Sequence, residues 1–241
     1  MGSIRGSSFY TIVNGPTWTQ AEANSVALGG HLASIQTEGE NDFLNTEFVA
    51  KEGDYLRNQG NHLWIGGTDQ GSEGNWRWTD GSAWTYTRWL PGQPDNALSG
   101  EDYASFLHKG GGYWNDARDN YYQEQITGSQ INGIAEIPLS YFSVSDLTVA
   151  EGSSGTVTIT RTGGTRSTQT LMLTSSNGTA SAGSDYNAIN TSISFTAGET
   201  SKTVSIGTIN DSTVESTESF NLTLTASSSD TVPAQISDGT A

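Results

Sequence analysis

The 241-residue sequence contains no cysteine, which excludes disulfide bridges and thiolate metal sites. Basic residues are scarce, with 10 lysines and arginines against 26 aspartates and glutamates, and the net charge is −16. This balance argues against nucleic acid as a partner, because phosphate contacts require lysine and arginine. The sequence also lacks a run of about 18 apolar residues, which argues against membrane insertion.

Signatures of catalysis are missing as well. The histidines His31, His62 and His108 lack metal-ligand spacing, and the sequence contains no nucleophile elbow, phosphate loop or EF-hand repeat. A glycosidase would need two carboxylates across a sugar bond, and the sequence alone does not pair them. We therefore expect a binding protein and not an enzyme.

The aromatic residues divide the chain into two parts. All seven tryptophans lie at or before Trp114, whereas the sequence after residue 141 is rich in serine, threonine and valine. The length is typical of two domains. We interpret residues 137–141 as a linker because proline ends a strand, and we predict domains at 1–138 and 139–241.

One irregular segment, residues 93–116, collects hard oxygen donors around Pro94. Calcium prefers about six to eight such oxygens and tolerates the uneven geometry of a loop. A cis Gln93-Pro94 bond would turn Gln93 and Asp95 toward the same ion. The segment therefore predicts a calcium site, and a solvated, turn-rich acidic loop is the alternative. Its oxygen donors are Gln93, Asp95, Asn96, Glu101, Asp102, Asn115 and Asp116.

The same donors are suited to bind a sugar. Gln93 with Asp95, and Asn115 with Glu101, each combine an amide donor with a carboxylate acceptor. Two adjacent sugar hydroxyls could complete the calcium coordination while each hydroxyl hydrogen-bonds to one amide and one carboxylate. Such double use of each hydroxyl would make binding specific and dependent on the metal.

The motifs in this segment resemble those of C-type lectin domains. They are Gln93-Pro94-Asp95, Glu101-Asp102 and Trp114-Asn115-Asp116, supported upstream by Trp64-Ile65-Gly66. The resemblance implies an α+β fold of two helices, small antiparallel sheets and a long loop region. It also implies a principal calcium at Gln93, Asp95, Glu101, Asn115 and Asp116, of which the first four bind the sugar. An auxiliary calcium would take Asp69, Glu73, Asn96, Glu101 and Asp102, with solvated turn carboxylates as the alternative.

The sequence departs from that family at two places. The positions of the family's disulfides correspond to Ser25 with Ala135 and to Tyr103 with about Asp119. Because bacterial members often lack these bridges, the resemblance implies a bacterial origin. Gln-Pro-Asp implies galactose-type ligands, but Ala97 stands where galactose-selective members often carry a tryptophan, so fucose-type glycans stay open.

Local patterns predict the elements of the first domain. We expect a strand at 9–13, a helix capped by Thr17 that ends at Gly29-Gly30, and a second helix from Glu38 to about Lys51. A buried strand at 63–67, a hairpin around Asp80-Gly81 and a closing strand at 131–136 beside the first strand should follow. Most tryptophans should lie in the core.

Alternating polar and β-branched residues predict an all-β, immunoglobulin-like sandwich after residue 142. The predicted strands lie at 156–160, 171–173, 193–195, 204–206 and 220–224. This part resembles a Calx-beta domain, with its final strand missing, so we expect the natural chain to continue into further domains. The resemblance implies weaker calcium binding, with a plain spacer as the alternative, at Glu151, Asp185, Asp211, Glu215 and Glu218.

Together these features predict a Ca²⁺-dependent lectin for galactose- or fucose-type glycans and glycoconjugates. We expect an adhesion module of a larger extracellular or cell-surface protein, because the calcium levels that such sites need occur outside the cytosol. One alternative is a C-type lectin fold with structural calcium that binds a protein or ice surface. A structural spacer without any ligand is another.

Overall fold

The structure is a computed structural model that describes residues 2–50, 62–97, 99–107, 111–120, 132–212 and 214–241. The chain forms two compact units, Met1–Ile137 and Pro138–Ala241. No helix in the described ranges is both long and apolar enough to cross a membrane.

The first unit is built on one mixed sheet with two helices. The helices are α1 (Trp18–Ala27) and α2 (Glu38–Leu44), and α2 continues as a π-helical turn, Asn45–Val49. The strands are β1 (Gly2–Arg5), β2 (Ser8–Asn14), β3 (His31–Leu32), β4 (His62–Thr68), β5 (Arg77–Trp78), β6 (Tyr103–Leu107), β7 (Trp114–Ala117) and β8 (Asn132–Pro138). The sheet has the strand order β1-β2-β8-β4-β6-β7, while β3 pairs with β8 and β5 pairs with β4.

Both helices begin at threonine caps. The Thr17 hydroxyl accepts from the backbone N–H of Gln20 at 3.1 Å, which satisfies one of the free donors of the first turn and confirms the predicted start. Thr37 caps α2 in the same way, accepting from the Glu40 N–H at 3.2 Å. The predicted second helix changes to π geometry at Asn45, and Lys51 lies outside the described residues.

Tryptophan side chains fill the core of the first unit, as predicted. Trp64, Trp78 and Trp114 are almost fully buried, and Trp84 and Trp89 pack against them. The predicted hairpin around Asp80-Gly81 is wrong, because β5 pairs with β4 and the described residues 81–88 form no strand. Trp84 in that segment and Trp89 directly after it instead pack against the Trp114 ring in the core.

Three further features of the first unit bear on the predictions. Strand β1, which the sequence did not suggest, pairs with β2. The closing strand β8 lies beside β2 as expected, although Ile131 falls outside the described residues. The two units divide between Ile137 and Pro138, within the predicted linker, but these residues lie largely in strands because β8 extends through Pro138 and the next strand begins at Ser140. Proline fits there because a strand end does not need its N–H.

The second unit is a sandwich of two sheets, which confirms the predicted all-β class. Its sheets have the orders β13-β10-β9-β15 and β12-β11-β14. Alternate residues such as Ile159, Leu171 and Phe195 face inward and are fully buried. The strands are β9 (Ser140–Val144), β10 (Ser154–Gly163), β11 (Gln169–Asn177), β12 (Asn190–Phe195), β13 (Ser201–Gly207), β14 (Phe220–Ala226) and β15 (Gln235–Asp238).

The final residues of the second unit form a short strand where the sequence predicted none. Strand β15 pairs in parallel with β9. Beyond it, the backbone N–H groups of Leu222 and Leu224 donate to the carbonyls of Ala241 at 2.8 Å and Gly239 at 2.7 Å. The end of the sequence therefore contributes to both sheets.

Candidate functional site

The β6–β7 hairpin brings two of the predicted motifs to one end of the sheet. Ala104 pairs with Asp116 and Ser105 with Asn115, while Glu101 and Asp102 lead directly into β6. The third motif enters from the preceding loop, where the Gln93-Pro94 peptide is cis, as predicted.

Asp116 organises the loop that carries the first motif. Its carboxylate is buried, and Oδ2 accepts from the backbone N–H groups of Asp95 at 3.0 Å and Asn96 at 2.9 Å. Burial raises the pKa of Asp116, and the nearby charge of Asp95 raises it further, while the backbone donors act in the opposite direction. One carboxylate oxygen thus holds the chain on both sides of the Asp95–Asn96 peptide.

Beside this anchor lies a compact group of oxygens. Carboxylate oxygens of Asp95, Glu101 and Asp116 all lie within 4.8 Å of one another. Gln93 Oε1 and Asp116 Oδ1 are buried and have no hydrogen-bond partner among the described residues. An unsatisfied buried acceptor is costly, so such a group of anionic and amide oxygens fits a hard cation.

A second group of carboxylates borders the first. Asp69 is buried, with Oδ2 accepting from the Gly74 N–H at 2.8 Å and Oδ1 lacking a partner among the described residues. Desolvation of the Glu73 carboxylate raises its pKa, and the nearby charges of Asp69, Asp102 and Asp116 raise it further. In the described part of the chain, however, these auxiliary carboxylates do not form a group within 4.8 Å.

Asn96 connects the two groups. Its Nδ2 donates to Glu73 Oε2 at 2.6 Å, and its Oδ1 accepts from the Glu101 N–H at 3.1 Å. The amide therefore places a donor where an auxiliary metal ligand was predicted. It joins the auxiliary group to the principal one through hydrogen bonds.

The predicted acidic residues of the second unit also come together. Oxygens of Asp185, Glu215 and Glu218 lie within 4.8 Å of one another, and Glu151 Oε1 accepts from the Asp211 N–H at 3.0 Å. Desolvation and the other four charges raise the pKa of Glu215. The group borders a cavity of about 580 Å³, but most of its carboxylates are exposed, so water screens them.

Family comparisons agree with both units. The model for the lectin C-type domain matches residues 14–126, and the model for the Calx-beta domain matches residues 135–241. The galactose-specific lectin nattectin of Thalassophryne nattereri is 39% identical over 113 residues, which are 46% of this chain and 67% of nattectin. The chain belongs to the C-type lectin domain family.

Two further relatives and one solved structure are similar to this C-type lectin domain. A lectin of Pleurodeles waltl is 40% identical over 114 residues, 45% of this chain and 62% of that protein. Versican core protein of Rattus norvegicus is 35% identical over 120 residues, 49% of this chain and 4% of versican. The solved C-type lectin CEL-I from Cucumaria echinata is 29% identical, with a TM-score of 0.45 over 56% of this chain and 93% of its own.

These comparisons confirm the predicted order of a C-type lectin domain followed by a Calx-beta domain. The relatives are named as lectins and a core protein, in agreement with the expectation that the chain is not an enzyme. The predicted bacterial origin stays a prediction, since the named relatives come from other organisms.

Non-covalent contacts hold the positions where the C-type lectin family usually has disulfides. The Tyr103 ring lies 4.6 Å from the Trp18 ring, and the Asp119 carboxylate accepts from the Thr19 N–H at 2.7 Å. At the other position, the buried Ser25 hydroxyl donates to the Ala21 carbonyl at 2.9 Å. Packing and capping therefore stabilise α1 in this cysteine-free lectin domain.

One residue that supports the candidate site was missed from the sequence. Asn41 on α2 is buried, donates from Nδ2 to the Gly112 carbonyl at 3.1 Å and accepts from Trp114 Nε1 at 2.8 Å. It thereby fixes the residue that precedes Asn115. The spacing of Asn41 from Leu44 and Phe48 could have placed it on the buried helical face.

The histidines do not contribute to these sites as far as the structure describes them. His31 Nδ1 lies 2.6 Å from Glu22 Oε1, next to α1 and away from both acidic groups. His108 lies outside the described residues.

Proposed function

We propose that this C-type lectin binds galactose- or fucose-type glycans in a calcium-dependent manner. The observation that carries the proposal is the group of Asp95, Glu101 and Asp116 oxygens within 4.8 Å, together with the buried, unpartnered oxygen of Gln93. Carboxylate and amide oxygens are the ligands that calcium prefers in proteins. Gln93, Asp95, Glu101, Asn115 and Asp116 would hold the ion, which would supply positive charge for sugar hydroxyls.

The side chains of the loop would select the sugar. The amides of Gln93 and Asn115 would donate to two hydroxyls, and the carboxylates of Asp95 and Glu101 would accept from them. The Gln-Pro-Asp order and the similarity to nattectin, which is named as galactose-specific, support a galactose-type ligand. Ala97 leaves the loop without an aromatic ring after this triplet, so fucose-type ligands stay part of the proposal.

We also propose an auxiliary calcium at Asp69, Glu73, Asn96, Glu101 and Asp102. The buried, unpartnered Asp69 Oδ1 supports it. The hydrogen bond from Asn96 to Glu73 weakens it, because this amide already compensates one of the carboxylates.

Replacing Asn96 with aspartate tests the auxiliary site. We expect the metal-free Asn96→Asp variant to melt at a lower temperature, because two carboxylates would then face each other where a donor faced Glu73. With calcium, its affinity at the auxiliary site should rise about tenfold, because ligand charge raises calcium affinity. Isothermal titration and thermal melts measure both effects, and unchanged values would remove Asn96 from the auxiliary ligand set.

For the second unit we propose weaker calcium binding at Glu151, Asp185, Asp211, Glu215 and Glu218. The proximity of Asp185, Glu215 and Glu218 supports it, and the exposure of Glu215 and Glu218 accounts for the weaker affinity. If this unit binds no ion, it acts as a spacer.

We place the protein outside the cell or on its surface, as an adhesion module of a larger protein. Calcium reaches the millimolar to submillimolar level of such sites outside the cytosol. The match to versican, of which the chain covers only 4%, supports a module within a longer protein. Its partners would be glycans and glycoconjugates, with no role for nucleic acid or membrane insertion.

A glycan array with calcium and then with chelator tests the function. Signals on galactose- or fucose-containing glycans should disappear with chelator. At a calcium concentration about 100 times its Kd, the metal should stabilise the protein by about 2.7 kcal/mol, so chelation should lower the Tm by roughly 10 °C. A blank array with this Tm shift intact would instead indicate structural calcium and a protein or ice partner.

A further inference from the structure

Tyr113 is the most exposed aromatic side chain among the described residues. It exposes 36% of its surface, whereas the rings of Trp76, Trp84 and Trp89 pack against the core of the first unit. An exposed phenol ring offers an apolar face and a polar tip, which suits contact with an amphipathic ligand.

The backbone places Tyr113 beside the proposed sugar ligand Asn115. Tyr113 immediately precedes β7, and its carbonyl accepts from the Leu107 N–H at 2.9 Å, so backbone hydrogen bonding to β6 continues one residue beyond the strand. Side chains two residues apart on a strand point to the same face, about 6.5 Å apart along it. The intervening Trp114 points into the core and is fully buried. Tyr113 and Asn115 thus share one face of the hairpin.

Arg88 fixes the position of the Tyr113 ring. Its guanidinium carbon lies 5.3 Å from the ring centroid. The guanidinium is held in turn by Glu38 at 3.2 Å and Asp42 at 3.4 Å, both on α2. A ring that is already held in place loses little conformational entropy when a ligand stacks on it.

The spacing determines which part of a glycan the ring can contact. A sugar bound through the Asn115 amide would lie over that residue. The Tyr113 ring, about 6.5 Å further along the extended backbone, would then lie beneath the neighbouring sugar unit. In the loop that carries the Gln-Pro-Asp triplet, Ala97 stands where an aromatic residue could stack on the sugar. This loop therefore offers no aromatic ring that would compete with Tyr113. We propose that Tyr113 forms a second subsite, which stacks on the sugar unit linked to the one held at the calcium site. The proposal rests on the lectin function proposed above.

Titration of the calcium-loaded full chain with galactose and with lactose tests the second subsite. Wild type should bind lactose about three- to tenfold more tightly than galactose, a range set by one aromatic contact. Tyr113→Ala should bring this ratio close to one, whereas Tyr113→Phe should keep most of it. In saturation-transfer NMR, the glucose unit of lactose should receive signal from an aromatic ring, and Tyr113→Ala should remove that signal.

Val26→Ala provides the matched control, because Val26 is also exposed but lies on α1. It should keep the wild-type ratio. If wild type binds both sugars with calcium and Tyr113→Ala leaves the ratio unchanged, the subsite is wrong and the lectin function stands. If neither sugar binds with calcium, both the galactose-type function and the subsite are wrong.

Discussion

Asp116→Asn should reduce both calcium and glycan affinity by about 100-fold or more, because it removes a charge from the centre of the oxygen group. The asparagine carbonyl can still accept from the N–H groups of Asp95 and Asn96, so the loop should keep its shape. The effect would therefore come from the metal site itself. Calcium titration and glycan binding measure it directly.

Asp146→Asn is the matched control, since Asp146 is an exposed aspartate of the second unit and lies in neither acidic group. It should bind calcium and glycan as wild type does. The stronger variant, with both Asn115 and Asp116 replaced by alanine, should abolish calcium-dependent binding while the second unit stays folded. Retained glycan binding in either site variant would contradict the assignment of this site.

Exchanging Gln93→Glu together with Asp95→Asn should change the preferred sugar class. The exchange keeps the net charge and the number of oxygens, so calcium affinity should stay close to that of wild type. It reverses the donor and the acceptor at one edge of the site, however, and hydroxyls of different orientation then fit best. We expect the ratio of galactose to mannose affinity to fall at least about tenfold, since mismatched buried polar groups are costly.

Competition assays with galactose and mannose measure this change. The single replacements serve as controls: Asp95→Asn removes a carboxylate from the calcium site and should weaken both sugars, whereas Gln93→Glu adds a carboxylate but removes the amide donor to the sugar, and neither should exchange the preferred sugar. An unchanged preference in the double variant would show that residues 93 and 95 do not determine the sugar.

Much of the site could be predicted because its signals are local. Proline at 94, turn residues around it and acidic pairs at short spacing determine which oxygens are available. A continuous apolar run predicted β4, and strand alternation predicted most of the second unit. How the motifs meet depends on the register of β6 and β7, which pairs Ala104 with Asp116. Only the resemblance to a family supplied that long-range information.

The missed features depend on contacts that no local pattern records. Asn41 meets Trp114 across 73 positions of sequence, and Gly2–Arg5 becomes a strand only because β2 offers it a free edge. The segment after Gly81 looked like half of a hairpin, but Trp84 and Trp89 gain more by packing on Trp114 than by forming a ladder. Tertiary packing overrides strand propensity in such cases.

The two oxygens of Asp116 have separate tasks, and this separation bears on how the domain could be adapted. One oxygen secures the backbone of the loop through Asp95 and Asn96, whereas the other has no hydrogen-bond partner among the described residues and is the one that we propose to bind calcium. The loop is thus shaped in advance, which reduces the entropy lost on binding. Side chains at 93, 95 and 97 can then be exchanged as a set while the loop backbone keeps its conformation. The same domain could therefore be re-engineered to bind different glycans.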